Sequence, residues 1–329
     1  MQKKKIAIIG SGSWGVALAI HLASLGHAIK IWSFLEEEKE QINQMHTCKF
    51  LPNVVLPEEL YATTSLKEAI QDSDYIVHVT PSKYTRQIAK RYQQYVTNQP
   101  IILCSKGMES KTLLTLEEVI KEELPNTKIG ILTGPSHAEE VSAFLPTVIL
   151  FSSKDQVLLN QVQEMMMSPT FRIYTSKDVI GAQIGGALKN IIAFCTGIAT
   201  GMGLGDNTIA ALLTRGLKEI ADLGIKMGGQ KDTFYGISGL GDLIVTCLSE
   251  HSRNRKAGIL IGQGKNLEET TKEIGMVIES IDNIETAYEL GEKYQIEMPI
   301  IQTVYHILYD NLDKKEAVYR LMTRQKKEE

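Results

Sequence analysis

The stretch Gly10-Ser11-Gly12-Ser13-Trp14-Gly15 decides the fold of this chain. Ahead of it runs Ile6-Ala7-Ile8-Ile9, a short apolar segment that reads as a buried strand. Residues 16–25, rich in Ala and Leu, follow as a helix ended by Gly26. Strand, glycine turn and helix in that order are the context in which G-x-G-x-x-G holds a dinucleotide. Gly10 permits the tight turn, Gly12 leaves the backbone open to a pyrophosphate, and Gly15 lets the helix lie close to the strand. Unpaired N–H groups and the positive end of the helix then face the phosphates.

Outward from this turn, apolar strands alternate with helices. Strands are expected at residues 28–32, 75–79, 101–104, 128–132 and 147–151, and helices at 36–45, 65–71, 84–95 and 116–124. Residues 50–60 carry Pro52 and Pro57 and read as a loop. The pattern predicts an α/β, Rossmann-type domain with a mostly parallel sheet covered on both faces. Near residue 177 it changes. Residues 179–201 read as one long helix with small residues at Gly181, Gly185, Gly186 and Ala187, and beyond Asn207 no strand alternation remains. The expectation is a dinucleotide-binding domain over 1–180 and an all-helical substrate and catalytic domain over 181–329.

Bulk composition narrows the class. With 329 residues, 43% hydrophobic and 22% charged, the chain can bury two separate cores. A net charge of −4 gives no general attraction to nucleic acid, so anion binding must come from local basic groups. Cys48, Cys104, Cys195 and Cys247 are widely spaced, which points to reduced thiols and to no metal cluster. Lys3-Lys4-Lys5 before an apolar stretch imitates a signal peptide, but glycines and His21 interrupt that stretch. No other segment holds the roughly 18 uninterrupted apolar residues of a membrane span. The expected location is the cytoplasm, without membrane insertion.

Five polar clusters sit where chemistry could be done. Lys106, in Cys104-Ser105-Lys106-Gly107, directly follows a strand and either meets a bound anion or is merely solvated. Gly134-Pro135-Ser136 opens a helix, offering free N–H groups or only a capped turn. Lys189 lies mid-helix among small and apolar residues, where it either snorkels to water or is held in a cleft as a proton donor. Asp242, in Gly239-Leu240-Gly241-Asp242, either pairs with a lysine or caps a helix. Ser252-Arg253-Asn254-Arg255 reads as an N-cap with a basic first turn. That opposes the helix dipole unless a phosphate binds there, the alternative being a solvated charged face.

Taken together, these stretches resemble the bacterial NAD(P)-dependent glycerol-3-phosphate dehydrogenases. The matching motifs run in order: Gly-Ser-Trp-Gly at 12–15, Ser-Lys-Gly at 105–107, Gly-Pro-Ser at 134–136, Leu-Lys-Asn at 188–190 and Gly-Asp-Asn at 205–207. Gly-Leu-Gly-Asp-Leu at 239–243, Ser-Arg-Asn-Arg at 252–255 and Val-Ile-Glu at 277–279 follow. The resemblance implies a helical C-terminal domain like that of 6-phosphogluconate dehydrogenase. It also implies reversible hydride transfer between NAD or NADP and C2 of dihydroxyacetone phosphate or sn-glycerol 3-phosphate, the latter made for phospholipid synthesis. By the same resemblance Lys189 is the general acid/base, with Lys106 and Asp242 completing the polar centre. Gly134, Ser136, Ser252, Arg253 and Asn254, together with Lys106, Lys189 and Asp242, fall at substrate positions. Gly10, Gly12, Ser13, Trp14, Gly15, Phe34, Lys106, Ala138, Arg253, Val277 and Glu279 face the cofactor. A homodimer is implied, and no nucleic-acid partner.

Two positions depart from the family pattern. Ser33-Phe34 stands where many relatives carry an arginine, and Ser280 where glycine is usual. The end of the second strand normally meets the adenosine ribose, and a 2′-phosphate there calls for a cation. Here no cation precedes Lys39, and Glu36-Glu37-Glu38 intervene, with Glu36 near the spacing of a ribose-binding acid. NADH is therefore expected to serve at least as well as NADPH. Another hydroxyacid or sugar-phosphate dehydrogenase would share the architecture. A catalytically dead dinucleotide sensor would be expected to have lost Lys189, Asp242 or the Arg253 cluster, and all are present.

Overall fold

The apolar run at the start of the chain forms strand β1 (Lys5–Ile9), whose side chains feed two cores. Ile6 and Ile8 enter one, Ala7 and Ile9 the other. A strand buried on both faces is the mark of a sheet with helices on each side. The computed structural model describes residues 2–326 and 328. After β1 come α1 (Ser13–Ser24), β2 (Ala28–Trp32), α2 (Glu36–Met45), β3 (Tyr61–Thr63), α3 (Leu66–Ile70), β4 (Tyr75–His78) and α4 (Thr85–Tyr92). These are followed by β5 (Ile101–Leu103), α5 (Leu116–Glu123), β6 (Ile129–Thr133), α6 (Ala138–Ser142), β7 (Thr147–Ser152), α7 (Gln156–Met166) and β8 (Phe171–Ser176). The strands form one sheet in the order β3-β2-β1-β4-β5-β6-β7-β8. Every neighbouring pair is parallel except β6 with β7. One core takes Leu18 and Leu22 of α1 and Val162 and Met166 of α7; the other takes Ile70 of α3, Tyr92 of α4 and Ile120 of α5.

Several elements differ from the sequence reading. Helix α1 starts at Ser13 rather than at residue 16, so Ser13 and Trp14 belong to its first turn. The helix expected over 84–95 is α4 flanked by 3₁₀ turns at Ser82–Tyr84 and Gln93–Tyr95. Strands β3 and β8 and helix α7 were not expected at all. Tyr61–Thr63 is too short and polar to show a period, and an edge strand such as Phe171–Ser176 alternates apolar Phe171 and Ile173 with exposed neighbours.

Beyond β8 the described residues are helical: α8 (Val179–Gly201), α9 (Asp206–Lys226), α10 (Lys231–Tyr235), α11 (Asp242–Leu248) and α12 (Arg253–Gly262), then α13 (Leu267–Ile274), α14 (Glu279–Tyr294), α15 (Pro299–Tyr309) and α16 (Lys314–Met322). Helix α8 is long and apolar enough to cross a membrane by length and composition, but 94% of that window is buried within the protein. The chain divides into two compact units. One runs to Lys106 and resumes over Leu114–Gln183; the other comprises Gly107–Leu113 and the chain from Ile184. The excursion 107–113 is held in the helical unit by Met108 N, which donates to Asn283 Oδ1 at 2.9 Å. A linear boundary cannot register such a long-range contact.

Within the helical unit, Glu219 of α9 closes the start of α15. Met298 provides no side-chain cap, and the Glu219 carboxylate accepts from Ile300 N at 2.8 Å and Ile301 N at 3.2 Å. Burial outweighs these bonds and pushes its carboxyl up to about 7 from 4.5. The folded state thus holds this proton more tightly than the unfolded chain. The stabilisation is complete below pH 4.5 and is lost as pH rises through about 7, by on the order of 3 kcal/mol. Urea unfolding between pH 5 and 8 should show this loss, and Glu219→Gln should lack it. Parallel pH profiles for the two proteins would refute the assignment.

Candidate functional site

In the sheet unit the glycine turn has no room for larger residues where the backbone closes on itself. Gly10 has φ +128°, and a Cβ there would lie 2.5 Å from Val79 O. A Cβ on Gly15 would lie 2.2 Å from Gly10 O. Gly12 is the opposite case, with nothing within 4 Å of where its Cβ would stand. It is the N-cap of α1 and offers no side-chain cap. The open cradle above Gly12 and the uncapped amides therefore suit a pyrophosphate. Ser13 and Trp14 flank this cradle, and Trp14 packs on the core.

The turn is tied to the end of β2. Gly10 N donates to Trp32 O at 3.1 Å, and Ser11 and Ser33 share a 3.0 Å hydroxyl bond. The acid at this junction is Glu38, not Glu36 as the spacing had led us to expect. Glu38 Oε2 accepts from Ser11 Oγ at 2.6 Å and Ser33 Oγ at 3.0 Å, and its other oxygen pairs with Lys49 at 3.1 Å. Glu36 is exposed and engages Lys39 and Thr64 instead. Both lie in the first turn of α2, where a two-residue step turns a side chain to the other flank. Phe34, beside them, is 68% exposed.

Loops after β4, β5 and β6 gather further polar groups. His78 ends β4, bonded to Tyr92 Oη at 3.1 Å and Thr80 Oγ1 at 2.8 Å. Burial pushes its imidazole down to about 3, so it is a neutral structural group. Ser105 Oγ donates to Thr80 O at 2.5 Å. Lys106 Nζ donates to Gly134 O at 3.3 Å, and Ser136 Oγ donates to the same carbonyl at 3.0 Å. Lys106, Gly134 and Ser136 thus form one cluster, with buried Ala138 opening α6 just beyond.

In the helical unit Lys189 is 5% exposed, which excludes the snorkelling alternative. Its Nζ donates to the Asp242 carboxylate and, at 2.6 Å, to Thr246 Oγ1. Thr246 in turn donates to Asp242 O at 2.6 Å. Asp242 is no N-cap: a π-helical turn, Ile237–Gly241, precedes it and its own backbone is helical. That turn needs Gly239, where a Cβ would fall 2.0 Å from Phe234 O. The result is a buried ammonium, a buried carboxylate and a hydroxyl in mutual contact, an arrangement that holds a proton donor at a defined point.

Ser252 caps α12 as expected, accepting from Arg255 N at 3.2 Å. Arg253 Nη1 donates to Val277 O at 3.2 Å, joining two residues read as cofactor-facing. Asn254 is occupied as a brace. Its Nδ2 donates to Asn190 Oδ1 at 3.1 Å and its Oδ1 accepts from Ser280 N at 2.9 Å. Glu279 begins α14 beside this brace. The sequence reading gave no role to Thr246 or Asn190. Thr246 lies four residues after Asp242, one helical turn away on the same face, and that spacing was a usable signal. Asn190 stood out only as part of the Leu-Lys-Asn motif, with no role visible because its partner is 64 residues away.

Comparison with known proteins finds relatives over nearly the whole chain. A family model described as the N-terminus of NAD-dependent glycerol-3-phosphate dehydrogenase matches residues 5–159, and its C-terminal counterpart matches 178–319. A glycerol-3-phosphate dehydrogenase (NAD(P)+) of Fusobacterium nucleatum is 50% identical over 328 residues, covering 98% of each chain. One from Agathobacter rectalis is 46% identical, covering 98% of this chain and 97% of its own. Among solved structures, glycerol-3-phosphate dehydrogenase of Coxiella burnetii superposes with a TM-score of 0.95 at 36% identity, covering 98% of this chain and 99% of that one.

Proposed function

Since the chain belongs to the NAD(P)-dependent glycerol-3-phosphate dehydrogenases, we propose that the clusters described above divide the work of that reaction between them. The enzyme is an oxidoreductase that interconverts dihydroxyacetone phosphate and sn-glycerol 3-phosphate with NAD(P). When bound, the nicotinamide gives or takes the hydride at C2 of the substrate. Gly10, Gly12 and Gly15, with the first turn of α1 at Ser13 and Trp14, hold the pyrophosphate. Phe34, Lys106, Ala138, Arg253, Val277 and Glu279 are assigned to the rest of the cofactor.

The observation that carries the reading is the buried contact of Lys189 with Asp242 and Thr246. Reduction places charge on the former carbonyl oxygen, and a lysine can both neutralise it and protonate it. Asp242 and Thr246 hold the Lys189 amine in place. Lys106 adds a second cation, and Gly134 and Ser136 supply polar groups for the substrate. The start of α12 receives the substrate phosphate through Arg253 and the backbone N–H groups of Ser252, Arg253 and Asn254, so that binding energy remote from C2 orients the reacting carbon. We further assign the product to phospholipid synthesis, and the active form to a cytoplasmic homodimer without membrane insertion or nucleic-acid partner.

The test is NADH oxidation with dihydroxyacetone phosphate, compared with unphosphorylated dihydroxyacetone, in wild type and Arg253→Ala. Loss of a bidentate charged contact should lower kcat/KM for the phosphorylated substrate about a hundredfold. The unphosphorylated one should change far less. Equal losses would leave Arg253 to the cofactor or the support of Val277 and take it off the phosphate.

A further inference from the structure

The turn after β2 lacks a cation in sequence, but the fold brings one to it. Arg91, in the last turn of α4, lays its guanidinium 5.4 Å from the ring centroid of Trp32 and 5.9 Å from that of Phe34. Trp32 is the last residue of β2, and its carbonyl is the one that binds Gly10 N. The platform is firm: Tyr92, next to Arg91, is fully buried and bonded to His78. Arg91 itself is exposed, and no carboxylate pairs with it among the described residues. Of the nearby carboxylates, Glu38 lies at the junction itself, with Lys49 offsetting its charge, and Glu36 is paired with Lys39.

We propose that Arg91 is the cofactor-discriminating cation of this enzyme, binding the 2′-phosphate of NADPH from α4 in place of an arginine in the turn after β2. The inference rests on the dinucleotide reading above. A guanidinium beside aromatic rings is attracted by their faces while keeping its N–H donors, and a planar fork is the geometry that phosphate takes. NADH, with a free 2′-hydroxyl, needs none of this. The expectation that NADH serves at least as well as NADPH is then compatible with substantial NADPH use, because the cation missing from the turn is supplied from 57 residues further along the chain than Phe34.

The experiment measures binding as well as turnover. Dissociation constants of 2′,5′-ADP and 5′-AMP, and kcat/KM for NADPH and NADH with dihydroxyacetone phosphate, are determined in wild type, Arg91→Ala and Arg91→Lys. Arg91→Ala should weaken 2′,5′-ADP and NADPH about ten- to hundredfold, and leave 5′-AMP and NADH within about twofold. Arg91→Lys, which keeps the charge without the planar fork, should restore part of the loss. Raising the salt concentration should weaken 2′,5′-ADP binding by the wild type more than 5′-AMP binding. An unchanged ratio in Arg91→Ala, or equal loss for both ligands of each pair, would reduce Arg91 to a cover for the two rings and overturn the proposal. A wild-type protein that bound neither cofactor would overturn the dinucleotide reading itself, and this inference with it.

Discussion

Replacing Lys189 by methionine should cut kcat by about 10²–10⁴-fold, the range expected when a general acid/base is removed. Cofactor binding should change little, because Lys189 is not among the residues assigned to the cofactor. The substitution also strands a charge. Asp242 is 1% exposed and would lose its ammonium partner, and breaking a buried pair on one side costs about 3–5 kcal/mol. Low activity in the single variant could then reflect poor folding. The double variant Lys189→Met/Asp242→Asn separates the two effects, since asparagine carries no charge to compensate. Its urea-unfolding midpoint should recover toward wild type while kcat stays low. A folded Lys189→Met protein with near-normal turnover would remove Lys189 from proton transfer.

The second large effect is expected from Gly258→Ala. Helices α8 and α12 meet backbone to backbone along paired glycines, Gly197 and Gly201 on one and Gly258 and Gly262 on the other. A Cβ on Gly258 would lie 2.0 Å from Phe194 O, one on Gly197 2.2 Å from Arg255 O, and one on Gly262 2.4 Å from Ile198 O. Helix propensity alone would favour alanine by about 1 kcal/mol. A methyl group driven into a carbonyl oxygen cannot be relieved by rotating a side chain. The helices must separate, at about 2–4 kcal/mol, so the net sign is destabilising. The same displacement would carry Ser252, Arg253 and Asn254 away from Asn190, which lies on α8. Chemical unfolding should therefore show a loss of about 2 kcal/mol, and kcat/KM for dihydroxyacetone phosphate should fall with it. A variant as stable as wild type would mean that this seam has slack.

These cases show where sequence reading succeeds and where it stops. The glycine turn was legible because its demands are local: each glycine acts on backbone a few residues away, and strand, turn and helix follow one another in the chain. The parallel sheet and the change to helices near residue 177 were legible because burial on two faces writes continuous apolar runs and burial on one writes a helical period. The clusters carrying chemistry were recognisable as short motifs, but each had two readings, since a lysine or aspartate is the same letter whether solvated or paired. Tertiary structure decided between them. Contacts across 53 residues between Lys189 and Asp242, and across 64 between Asn190 and Asn254, replaced the surface lysine and the helix cap with a buried pair and a brace. It also moved the acid at the β2 junction from Glu36 to Glu38, and supplied that junction with Arg91, whose distance along the chain hid it. Local geometry is encoded in neighbouring residues; the charge at a point in space is summed over whatever the fold brings there, and no linear pattern records that sum.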